Sequence, residues 1–158
     1  MTTLRSHTWS LPEPVCLPRG LAAMRGRVFV LYHPTAPTLE RAEREAQAYR
    51  GLRAHLDHAA VLIWVGQPWP PPSAEVRAAL AAGFEAGPRV DVVAWIVDSD
   101  RELGQSVVRG VSSQLFAAAT PTRVFRDPYD AAGWLASFEV EADAELILDG
   151  LDALDRAW

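Results

Sequence analysis

Two carboxylates two residues apart, Asp98 and Asp100 in "IVDSDREL", are the residues best suited to chemistry. Their hard oxygens suit a divalent cation, or acid–base work. Ser99 and Arg101 beside them add a hydroxyl and a planar cationic donor, and His33, ending the run "RVFVLYH", adds an imidazole. A second pattern, "AHLDH", sets His55 and His58 three residues apart, a spacing that suits metal binding on a helix face. The third is "GQPWPPPS", where Gln67, Trp69 and Ser73 lie among prolines; a stiff backbone there lets an aromatic meet a partner at little ordering cost.

Each pattern also has a structural explanation. Asp98 can end a strand while Ser99 or Asp100 caps the next helix, and Ser73 reads as a cap in the same way. Histidines near a helix C-terminus are favoured by the macrodipole, and "AHLDH" has no evident third metal ligand. Trp69 can fold back over the sheet edge. No G-x-S-x-G elbow is present, and no nucleophile has an evident base, so neither an enzyme nor a metal or cofactor is expected.

The absences narrow the classes further. All 15 cationic side chains are arginine; with no lysine the chain can form neither a Schiff base nor a P-loop. Asparagine is also missing, which removes N-glycosylation and Cys-His-Asn triads. Cys16 stands alone, so it has no internal disulfide partner and no CxxC pair, as suits a reducing compartment. A net charge of −5, with arginines scattered among acids in "LERAEREAQAYRGLR", argues against nucleic acid and reads as a solvated helix face. No apolar run reaches the roughly 18–20 residues of a membrane span. The opening residues lack the pattern of a secretory signal, and a soluble cytoplasmic protein is expected.

The elements that position these residues alternate. Strands are expected at 27–33, 59–66, 90–98 and 122–127, from β-branched and aromatic runs that end at turn signals. Between them lie three helical stripes: Leu39, Ala42, Ala46, Tyr49, Leu52 and Leu56 after Thr38; Val76, Leu80, Gly83 and Phe84 after Ser73; and Val108, Val111, Leu115 and Ala118 after a Ser99–Glu102 capping box. "DPYDAAGWL" reads as Asp127 at N-cap, Pro128 at N1 and a short helix burying Trp134 and Leu135. The tail carries Ile147, Leu151, Leu154 and Trp158 at helical spacing, an amphipathic interaction helix interrupted by Gly150, able to dock on its own domain or on another chain. Such alternation predicts an α/β domain with a mainly parallel or mixed sheet of four to five strands flanked by helices. "SHTWS" is a possible edge strand within residues 1–26.

"TRVFRDPYDAAGWL", with the preceding "VDVVAWIVDSDRELGQSVVRGVSSQLF", resembles the closing part of STAS-like domains of the SpoIIAA-like bacterial type. The order of elements follows that family from about residue 27 to 136. The resemblance implies a small α/β regulatory or binding module rather than an enzyme. Classical members carry a phosphorylatable serine where a helix follows a central strand, and Ser73 occupies that place here.

The resulting expectation is three regions: a proline-containing segment at 1–26, an α/β domain at 27–136 and a helical tail at 137–158. The C-terminal ends of the strands should gather His33, Gln67, Trp69, Ser73, Asp98, Ser99, Asp100 and Arg101 at one mouth. The leading expectation is a regulatory module that works by contact with a protein, including a second copy of itself. The alternatives are binding of a small apolar or anionic ligand, or metal-assisted chemistry at Asp98 and Asp100.

Overall fold

A computed structural model of the chain describes residues 17–66, 71–97 and 102–158. The strands are β1 (Ala23–Arg25), β2 (Val28–His33), β3 (His58–Val65), β4 (Arg89–Val97) and β5 (Thr122–Phe125). The helices are α1 (Leu39–Gly51), α2 (Ala74–Ala86), α3 (Glu102–Leu115), α4 (Pro128–Ala136) and α5 (Ala144–Ala157), with one 3-10 turn at Leu52–Ala54. One five-stranded mixed sheet runs β1-β2-β3-β4-β5; β1 pairs antiparallel with β2, and the other neighbours are parallel.

Alternation along each strand separates two cores. Phe29, Leu31, Val61, Ile63, Val93 and Trp95 face the layer that holds Tyr49, Leu80, Phe84 and Val111 of α1, α2 and α3. Val28, Val30, Ala60, Leu62, Ala94 and Ile96 face Ala131 and Leu135 of α4 and Ile147, Leu151 and Leu154 of α5. Strands covered on both faces need the continuous apolar runs seen in β3 and β4.

Caps begin the helices where the sequence marks them. Thr38 Oγ1 accepts from the Arg41 amide at 3.2 Å, Ser73 Oγ from Val76 at 3.2 Å and Asp127 Oδ1 from Tyr129 at 2.8 Å. Each bond satisfies an amide that the first turn leaves without a partner, a contribution of about 1 kcal/mol. Ser99 of the expected capping box lies outside the described residues, as does "SHTWS". The edge strand that is described, β1, joins β2 through a two-residue turn at Gly26 and Arg27. Gly26 has φ +57°, and a Cβ there would overlap the backbone of Val140 and Glu141.

Several expectations are corrected. Gly150 does not interrupt the last helix: α5 runs through it, and the missing side chain brings the helix onto β1 and β2, since a Cβ would lie 3.0 Å from Arg25 Cγ and 3.3 Å from Val30 Cγ2. The first stripe stops short of Leu56, because α1 ends at Gly51 and the chain tightens into the 3-10 turn; Leu39 at its start is exposed. Ala118 lies beyond the end of α3 and is exposed. His55 and His58 share no helix face, since His55 follows the 3-10 turn and His58 opens β3. His58 Nδ1 lies 2.5 Å from Asp91 Oδ2, where Ala59 pairs with Val90 and Ala60 with Val92, leaving Asp91 as the extra residue of a bulge.

Glycine substitutions separate close helix packing from helix propensity. At Gly83 an added Cβ would come within 2.5 Å of Ala46 Cβ and 2.6 Å of Ala46 Cα, whereas at Gly110 and Gly133 nothing lies within 4 Å. Gly83→Ala should therefore destabilise by about 1–3 kcal/mol despite its better helix propensity. Gly110→Ala and Gly133→Ala should each stabilise by about 0.5–1 kcal/mol. Urea denaturation of the three variants checks the signs.

Candidate functional site

β2 stops at His33 because Pro34 follows it, and five residues later Thr38 opens α1. This short connection sets the first turns of α1 over the C-terminal end of β2. Arg41 and Glu45, four apart on one helix face, meet His33 there. Glu45 is 1% exposed and His33 6%. The imidazole Nε2 lies 2.9 Å from both carboxylate oxygens, and Arg41 Nε donates to Glu45 Oε2 at 3.0 Å. An ionised carboxylate only accepts, so Nε2 carries the proton it donates to Glu45. Nδ1 of His33 has no hydrogen-bond partner among the described residues.

Arg41 extends the cluster to two other parts of the chain. Its Nη2 donates to the carbonyls of Gly20 at 2.8 Å and Leu21 at 3.2 Å. Its guanidinium lies 4.7 Å from the ring centroid of Trp158, a cation–π contact. Trp158 in turn meets Tyr32 edge-on at 6.2 Å, and Tyr32 stacks on Trp64 at 4.5 Å. The Tyr32 hydroxyl donates to Asp155 Oδ1 at 2.6 Å. Its pKa is pushed up to about 12, first because burial disfavours the phenolate, then because Asp155 does.

On the face covered by α1, α2 and α3, opposite Tyr32 and Trp64, His33 forms part of the wall of an apolar pocket of about 40 Å³. Pro37, Val65, Pro72, Trp95 and Val111 complete most of the wall, so the ends of β2, β3 and β4 meet α2 and α3 there. Trp95 Nε1 donates to the buried Ser112 Oγ at 2.9 Å, which fixes the indole against α3. The strand order never reverses, so the opening is not a switch-point crevice; it lies between the sheet end and the helices on one face.

Of the expected mouth, His33 reaches this edge as a buried wall residue, and Ser73 is an exposed helix cap. Gln67, Trp69, Asp98, Ser99, Asp100 and Arg101 lie outside the described residues. Ile147, Leu151 and Leu154 of the proposed interaction helix are buried against the chain's own sheet, and Trp158 is 55% exposed. Among the described residues, no group of three or more His, Cys, Asp or Glu is placed to hold a metal ion. The solvated-face reading of "LERAEREAQAYRGLR" fails at Glu45. Its position between Ala42, Ala46 and Tyr49 in the buried stripe was the available signal, and charge alone hid it.

Removing one partner of a buried pair strands the other, so Glu45→Ala should cost about 3–5 kcal/mol in urea denaturation. The His33→Phe, Glu45→Met double variant should recover most of that loss, since no buried polar group of the pair is left behind. Tyr32 gives a pH test. A folded-state pKa above the ordinary value of 10 means a contribution intact below pH 10 and lost as pH rises towards about 12. The stability gap between wild type and Tyr32→Phe should therefore narrow over that interval in thermal melts.

The chain matches no protein-family model, no curated protein and no solved structure. Its functional reading rests on the fold and on the geometry of this sheet edge.

Proposed function

We propose that the chain is a non-catalytic regulatory or binding module of STAS-like type that works through protein contact at the C-terminal edge of its parallel sheet. The observation that carries this reading is the apolar pocket at that edge, rimmed by the exposed Thr35 and Ala36 and walled by Pro37 and Pro72. Apolar hollows with rigid rims suit the anchoring side chain of a partner. Three further features support it. The mixed sheet flanked by helices is the architecture that the STAS-like resemblance implies. The imidazole of His33 bonds to Glu45, and no hydroxyl or thiol is bonded to it among the described residues. The apolar face of α5 packs on the chain's own sheet, which leaves the strand-end edge as the stronger contact surface. No helix among the described residues is long and apolar enough to cross a membrane.

Affinity capture from the native host, read by mass spectrometry, tests the reading with four baits: wild type, Ala36→Arg at the rim, Trp69→Ala, and Glu145→Arg on α5. Ala36 and Glu145 are exposed, so both changes should alter stability by no more than about 0.5 kcal/mol. A partner held by wild type and Glu145→Arg but lost with Ala36→Arg is the expected result. Equal capture by the Ala36 variant, or loss only with the Glu145 variant, would move the working surface elsewhere. Trp69→Ala reports whether the proline-flanked stretch shares in the contact.

A further inference from the structure

We infer that the pocket behind His33 is a binding site for a small apolar molecule carrying one hydroxyl donor, held by a hydrogen bond to His33 Nδ1. This rests on the reading of the sheet edge as the working surface, and names a ligand for it. The pocket wall is almost wholly carbon: Ile63, Leu80, Trp95 and Val111 contribute side chains, and His33 brings a heteroaromatic ring. That ring is 6% exposed, and its Nε2 is bound to Glu45. A ring whose one proton sits on Nε2 presents Nδ1 as a lone-pair acceptor. Among the described residues Nδ1 has no hydrogen-bond partner, and leaving a buried acceptor unsatisfied is costly. A hydroxyl group would satisfy it while an attached alkyl body filled the apolar space.

Size and charge narrow the class. A volume of about 40 Å³ admits a few heavy atoms, so the hydroxyl and first carbons sit inside and a longer tail points to the rim at Thr35 and Ala36. An anionic head is disfavoured, because it would face a lone pair and then the Glu45 carboxylate behind the ring. Thr35 at the rim brings a hydroxyl, but deeper in the pocket a second donor on the ligand would meet aliphatic and aromatic side chains.

The test uses two constitutional isomers, 1-butanol and methyl propyl ether, with butyrate as the anionic arm. The full chain is titrated by NMR, following the methyls of Ile63, Leu80 and Val111 and the ring nitrogens of His33. Saturable shifts confined to these groups are expected with 1-butanol, together with a shift at Nδ1. The ether should bind about tenfold more weakly, the loss of one hydrogen bond with its buried acceptor left unmet. Val111→Phe fills the pocket from α3; Val107→Phe, at a half-buried wall position, serves if the first variant does not fold. Either should abolish binding. Ether binding equal to alcohol, butyrate binding tighter than alcohol, or shifts that never saturate would each overturn the inference. Because the probes read the pocket directly, such failure is distinct from failure of the protein-contact reading, which the capture experiment decides.

Discussion

A carboxylate with no exposed side-chain surface sets the terms for one end of this molecule. Glu45 leaves water only because His33 and Arg41 both donate to it, and burial of an unpaired charge would cost several kcal/mol. That requirement fixes the position of α1 over β2, the orientation of the His33 ring and the direction in which Arg41 reaches. Through Arg41 the same group ties down the carbonyls before β1 and the indole of the last residue. The cluster therefore joins parts of the chain that are far apart in sequence, around the sheet edge formed by β1 and β2.

The pocket inherits its character from that constraint. Were the imidazole free to rotate or exchange tautomers, its wall would offer a donor or an acceptor without preference. Anchored through Nε2, and with no proton on Nδ1 as we infer, it offers only an acceptor. The remaining wall comes from residues whose first role is structural: Trp95 held by Ser112, and the α2 and α3 side chains that cover the sheet. A pocket built in this way needs no mobile element to create its chemistry.

Much of the architecture was legible in the sequence, for local reasons. The alternating β-branched runs gave β2 to β5 within a few residues, and the caps at Thr38, Ser73 and Asp127 marked helix starts because the side chains act on amides two or three residues ahead. What was hidden depended on distant partners. Gly150 reads as a helix breaker until Arg25 and Val30 are seen beneath it. The pairing of His58 with Asp91 crosses two strands, and no helical spacing could show it. Of the candidate site, His33 was legible as a polar end to an apolar strand. Arg41 was not, and Glu45 only through its place between Ala42, Ala46 and Tyr49 in the apolar stripe, a signal that its charge masked.

The measurement that tests the account most directly is the protonation state of the His33 ring, read from long-range nitrogen–proton correlations in labelled protein at neutral pH. The account predicts one tautomer, with the proton on Nε2 towards Glu45 and Nδ1 bare. A ring protonated on Nδ1 alone, or averaged between tautomers, would contradict it and remove the acceptor from the pocket wall.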